Sequence, residues 1–288
     1  MSKSTPLVGI GLMLMAMAIL PCIDVIAKYL GQRGVPVMQI VWARLAFGAV
    51  LTMPFAARAS GIGALVPDRP FVHALRASLL IAATFFFFFA LKFLPIADAL
   101  AVFFVQPLVI TALSPLILKE HVGPRRWAAV FVGFIGTLII IRPGMGAFNP
   151  GSLLALASGT SLALYLLLTR RISGRNKAIV TTFHTNALGA LIATALVIAV
   201  WQAPTPQEWF LFLALAAIGN LGHYFIVRAY DHAEASLLAP LAYTEMVTST
   251  ILGYLFFGDF PDAMTFLGVG ILIACAIYIS MRERTRPA

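Results

Sequence analysis

Charge is what this chain has least of. Only 11% of its 288 residues are Asp, Glu, Lys or Arg, about half the usual share of a globular domain. Long polar stretches are missing as well, so no loop is long enough to fold as a separate soluble domain. There are two cysteines, Cys22 and Cys275, each inside an apolar run and without metal-ligand spacing, which excludes a disulfide framework or a cysteine zinc site. No phosphate-cradling glycine loop, nucleophile elbow or zinc-binding spacing is present, so nothing points to ATP chemistry or hydrolysis. No cofactor is expected.

What fills the space is hydrophobic. Apolar residues make up 61% of the chain, and the mean hydropathy is +0.95. A soluble core of this size cannot hide so much apolar surface, so the surrounding solvent must be hydrocarbon. The net charge of +9 sits in short loops between apolar runs rather than on a basic helix, which argues against a nucleic-acid partner. The N-terminal run continues past the small-residue stretch at Ala16 to Ala18, so it reads as an uncleaved first helix.

About 20 mostly apolar residues are needed to cross the hydrocarbon core as a helix. Ten stretches qualify: 7–30, 36–57, 71–93, 96–118, 126–141, 151–171, 178–201, 208–229, 235–257 and 262–281. With the N-terminus in the cytoplasm, alternation puts most of the 20 basic residues inside, including Arg58, Arg69, Arg76, Arg170, Arg171, Arg175 and Lys177. Lys28, Arg33, Lys92 and Arg142 remain outside. This asymmetry obeys the positive-inside rule and predicts that both termini are cytoplasmic.

Residues 90–127 and 229–266 come into register at a constant offset of 139: Gln106 falls on Glu245, Glu120 on Asp259 and Trp127 on Phe266. The chain therefore reads as one unit written twice, 1–145 and 146–288. Five spans in each unit is an odd number, so the second must enter the membrane inverted relative to the first. Inverted repeats are a common construction of secondary transporters, with the substrate site near the midplane between the halves. The expected fold is an all-α integral membrane protein, ten transmembrane helices built as two inverted five-helix repeats.

Polar groups at membrane depth are expensive, about 2.5–3.5 kcal/mol each on insertion scales, so they are candidates for the site. Glu245 lies mid-span between Tyr243 and Thr248, and Gln106 is its repeat counterpart. Glu245 could bind a substrate amine or a proton in a wet cavity, or be a protonated acid bonded to a neighbouring helix. Pro107 and Pro240, near mid-span in the same pair of helices, should break backbone hydrogen bonding there. Arg44 could steer a carboxylate or snorkel to the outer face, and its repeat counterpart is Asn186. Asp24 and Lys28, spaced i and i+4, suggest a local ion pair. His223, Tyr165 and Tyr224 complete the candidate substrate set, and His184 reads as an interhelical hydrogen-bonding partner. No metal site is expected.

The stretch Leu94-Pro95-Ile96-Ala97-Asp98-Ala99, the later Leu118-Lys119-Glu120, and Ala239-Pro240-Leu241-Ala242-Tyr243-Thr244-Glu245 resemble signatures of the EamA family of the drug/metabolite transporter superfamily. The resemblance covers essentially the whole chain. Met246 and Gly258-Asp259 depart from it, standing where relatives more often carry Pro and Gly-Glu. The resemblance implies a carrier in the bacterial inner membrane, and within the family it suggests the branch exporting aromatic and other neutral amino acids. The alternatives are a multidrug or cationic-metabolite exporter, a nucleotide-sugar or sugar-phosphate carrier, and an intramembrane enzyme. A phosphate-bearing substrate would need more basic groups at depth than Arg44 and Lys28 supply. The expected partners are a small molecule and the lipid bilayer, and a monomeric carrier is compatible with the sequence.

Overall fold

The computed structural model describes residues 6–119, 123–141, 149–172, 177–232, 238, 241 and 243–284. Their regular structure is helical, joined by short turns, with no strand among them. In chain order the helices are α1 (Pro6–Ile19), α2 (Pro21–Gln32), α3 (Val37–Ser60), α4 (Pro70–Ala90), α5 (Ile96–Phe103) and α6 (Gln106–Ile117). They continue as α7 (Pro124–Ile141), α8 (Pro150–Arg171), α9 (Ala178–Val197), α10 (Pro206–His232), α11 (Thr244–Phe257) and α12 (Ala263–Arg284).

Among the described residues seven stretches are long and apolar enough to cross a membrane, and two shorter apolar helices, Trp127–Ile141 and Ala263–Cys275, accompany them. Two of the seven are interrupted. The first span, Leu7–Gln32, combines α1 and α2, and Ile96–Ile117 combines α5 and α6. Proline explains both breaks, because it has no N–H to give the carbonyl four residues earlier and its ring crowds that carbonyl. At Pro107 the orphaned carbonyl belongs to Phe103. The chain tightens there into a turn, with the Val105 N–H bonding to the Val102 oxygen at 3.1 Å, before α6 starts afresh. The break at Pro107 matches the sequence reading. The break at Pro21 does not, since 7–30 reads as one uninterrupted helix.

Small residues let the breaks pack. Gly159 on α8 lies against the freed Phe103 carbonyl so closely that a Cβ there would sit 2.5 Å from the oxygen. Gly222 on α10 does the same for the Leu20 side chain at the first break. Elsewhere α7 and α12 cross where Gly136 and Gly268 face each other's backbone. In hydrocarbon there is no hydrophobic force between helices, so such close backbone approach is what holds them together.

The remaining contacts form a ring. Helix α4 packs on α8 and α9, α10 on α1 and α3, α3 on α9, and α5 on α11. The outer surface is a belt of exposed apolar side chains, Phe55, Phe71, Leu191, Phe210, Leu255 and Phe256 among them. Such a surface is intolerable in water and ordinary against lipid chains. Of the phenylalanine run at 85–89, Phe87 and Phe88 are buried, and Phe87 meets Phe103 at 5.1 Å. Those two fill space, and Phe85, Phe86 and Phe89 are half-buried.

Candidate substrate cavity

The helix breaks decide where polar side chains point. Because α2 restarts at Pro21, Asp24 falls in the first turn of a new helix and stands half-buried inside the bundle. It lies within Coulombic range of Arg44 on α3 and of Glu245 in the first turn of α11. Arg44 and Glu245 are half-buried too. The Arg44 Nη1 donates to the Thr84 Oγ1 of α4 at 2.9 Å, and Gly219 lets α10 pass beside the guanidinium. Tyr165 of α8 and His223 of α10 are both in Coulombic range of Arg44. Four helices, α2, α3, α8 and α11, thus bring two carboxyls, one guanidinium and a phenol together inside the bundle.

Two side chains close the set from α9 and α10. The Asn186 Nδ2 donates to the Asn220 Oδ1 at 3.5 Å, and the Asn220 Nδ2 is buried with no protein partner. One turn along α3 from Arg44, Gly48 leaves room for the Asn186 amide. The positions of Arg44 and its counterpart Asn186 therefore meet at a single helix crossing. The other repeat pair meets through neighbours. The rings of Phe104 and Tyr243, themselves 139 residues apart, stand 5.1 Å from each other, with Gln106 two residues from one and Glu245 two from the other.

Not every candidate joins the cluster. Tyr224 is 55% exposed, with its ring against that of Phe225, so it faces the bundle's surroundings. His223 is exposed at the cluster's edge. Gln106 is half-buried at the start of α6. Pro240 and Glu120 lie outside the described residues. Among the described residues no group of His, Cys, Asp and Glu could hold a metal ion.

One expectation is corrected. Lys28 does not pair with Asp24 one turn below it. Its Nζ bonds the Asp259 Oδ2 at 2.5 Å, on the turn between α11 and α12. The i, i+4 rule states which side chains can reach each other, not which partner wins.

A second polar cluster, absent from the sequence reading, sits toward the end of the bundle that carries the basic loops. Arg76, counted from sequence among the basic residues of the inner side, is 1% exposed. Its guanidinium donates to Thr169 Oγ1 at 3.0 Å and to the Tyr165 hydroxyl at 3.4 Å, lies 3.2 Å from His73 Nδ1, and stands over the Tyr165 ring. His73 in turn packs edge-on against His184, whose Nε2 meets the Ala64 carbonyl at 2.9 Å. His184, expected to bond a neighbouring helix, thus bonds the short turn Ile62–Leu65 that connects α3 and α4. Tyr165 touches both clusters. The available signal was that Tyr165 and Thr169 share one face of a helix, but nothing local tied that face to Arg76.

A helical bundle with a lipid-facing belt and opposed charges at its centre defines the class of polytopic membrane proteins. More particularly, the chain belongs to the EamA-like transporter family of the drug/metabolite transporter superfamily, whose pattern matches residues 7–142 and again 149–281. It is 30% identical over 280 residues to an S-adenosylmethionine uptake transporter of Rickettsia conorii, covering 97% of this chain and 95% of that one. It is 28% identical over 285 residues to a riboflavin transporter of Vibrio cholerae, covering 98% and 95%. A pseudopaline exporter of Pseudomonas aeruginosa is 26% identical over 253 residues, covering 86% and 88%. A solved crystal structure superposes with a TM-score of 0.65 at 21% identity, covering 99% of this chain and 100% of the other, which shows a shared fold. The protein is a transporter and not an enzyme.

Proposed function

We propose that this chain is a secondary carrier for an amino-acid-bearing metabolite with an aromatic body, and that S-adenosylmethionine is its first candidate substrate. The observation that carries this is the charge inventory of the central cluster. Asp24, Glu245 and Arg44, with both acids ionised, sum to a formal charge of −1. S-adenosylmethionine brings a carboxylate, an ammonium and a sulfonium, a net +1, plus a flat purine. Its carboxylate would meet Arg44, its two cationic centres the carboxylates, and its ring Tyr165 or the Phe104–Tyr243 pair. Cations bind well over such rings and beside desolvated carboxylates.

Aromatic and other neutral amino acids are the second reading, favoured by the same opposed poles. With one of the two acids protonated the cavity is neutral and suits a net-neutral zwitterion, and transport then carries a proton. A flat neutral ring such as riboflavin would use the aromatic surface but leave the buried charges without partners. Glu245, Gln106, Tyr243, Tyr165 and Arg44 are the proposed contacts, joined by Asp24. Pro240 remains a candidate only through the backbone hydrogen bond that its missing N–H removes, and His223 and Tyr224 are peripheral.

The architecture proposed for this work is ten spans in two oppositely oriented units, 1–145 and 146–288, in a bacterial inner membrane with both termini cytoplasmic. The double family match supports it. So does the pattern of packing: α4 on α8 has its counterpart in α10 on α1, and α4 on α9 in α10 on α3.

The test is uptake into sealed liposomes holding purified carrier and no nucleotide. Labelled S-adenosylmethionine should equilibrate, and methionine or phenylalanine should compete better than adenosine or riboflavin. Competition by the rings alone, with no effect of any amino acid, would refute the reading.

A further inference from the structure

At the end of the bundle away from the basic loops, which the positive-inside rule puts outside the cell, lies a cavity of about 400 Å3. Lys28, Gly31, Lys92, Phe93, Leu94 and Asp259 are among its lining residues. Its floor is an ion pair. Lys28 is 8% exposed, and its ammonium bonds Asp259, the Leu94 carbonyl at 3.3 Å and the face of Phe257 at 4.9 Å. The pair ties α2 to the α4–α5 turn and to the α11–α12 turn, so it joins the first half of the chain to the second. Gly258, at φ +70°, makes the left-handed turn that presents Asp259. At the rim the exposed Lys92 rests its stem against Gly31 and its ammonium beside Phe89.

Below the pair on the same helix is Asp24, four residues or ~6 Å away at 1.5 Å per residue. Lys28 thus stands between the outer cavity and the central charges. A buried ion pair adds little net stability, yet losing one partner is costly because the other charge is left uncompensated. A ligand bearing a single charge can relieve only one of the two. A ligand bearing both signs can replace both at once, its carboxylate taking Lys28 and its cation taking Asp259.

We propose that this cavity is an outer vestibule for the zwitterionic substrate, and that Lys28–Asp259 is a latch which a zwitterion, and not a simple anion or cation, unlocks. Lys92 is the first contact, for the carboxylate. The proposal rests on the amino-acid-bearing substrate proposed above.

The experiment uses full-length carrier in liposomes with Cys22 and Cys275 replaced and Asn220→Cys as a reporter beside Arg44. A membrane-impermeant thiol reagent is applied from the outer side. In the latched protein, phenylalanine or S-adenosylmethionine should raise labelling several-fold, and acetate or methylammonium should not. Asp259→Asn should raise labelling several-fold with no substrate present, and the exchange Lys28→Asp with Asp259→Lys should bring it back down. Lys92→Gln, at an exposed position that folding tolerates, should raise the KM for transport about tenfold while labelling of the unliganded carrier stays low. Unchanged labelling in Asp259→Asn, in protein that still transports, overturns the latch. Equal opening by acetate and by phenylalanine overturns its selectivity. If the substrate reading alone is wrong, no zwitterion is transported, yet Asp259→Asn still opens the reporter.

Discussion

Glu245 is the residue on which the proposed chemistry turns, and one atom tests it. Glu245→Gln preserves shape and hydrogen-bonding capacity while removing the ionisable proton. Transport should fall at least tenfold with the amount of folded protein unchanged, read as initial uptake per mole of purified carrier. Wild-type uptake by this mutant across the working pH range would mean that Glu245 is structural. Arg76 makes the opposite kind of claim. Its guanidinium is enclosed by Thr169, Tyr165 and His73, so truncation leaves a cavity and takes one polar partner from each of the three. Arg76→Ala should destabilise the carrier by about 2–5 kcal/mol, seen as a lower thermal midpoint in detergent. Lysine should rescue it poorly, because a point charge cannot reproduce the planar fork.

Among the helices, the clearest consequence belongs to the break in the α5–α6 span. Phe103 loses its helical hydrogen bond to Pro107, and Gly159 is what allows α8 to close over that carbonyl. A methyl group at Gly159 would meet backbone rather than a movable side chain. Gly159→Ala should therefore cost about 1–3 kcal/mol and reduce folded yield. Gly11, on α1, has open space where its Cβ would be. Gly11→Ala should be neutral or stabilise by about 0.5–1 kcal/mol through helix propensity, so it serves as the control. Equal losses at both positions would contradict the packing described.

Across the molecule the testable quantity is orientation. Lys3 and the cluster Arg282, Arg284 and Arg286 fall on the same side of the alternation as the other basic loops. A reporter active only in the periplasm, fused after Ala288, should stay silent, and one active only in the cytoplasm should not. A periplasmic signal would reverse the orientation and with it the assignment of vestibule and basic end.

Much of this protein is set by effects that act within a few residues. Membrane residence follows from mean hydropathy, span positions from the length of apolar runs, and the break at Phe103 from the missing N–H of Pro107. Glu245 and Gln106 could be singled out because a polar residue inside an apolar run is conspicuous without any partner in view. The first break was missed because Pro21 sits in a run apolar enough to read through. Partner choice is another matter. Asp259 is 231 residues from Lys28, and Arg76 finds Thr169 across 93. Which of two reachable charges Lys28 takes depends on how each is desolvated and on what else crowds it, here Leu94 and Phe257. Those terms exist only once the helices have packed, so the tertiary structure alone decided that Asp24 looks inward to Arg44 while Lys28 turns to Asp259.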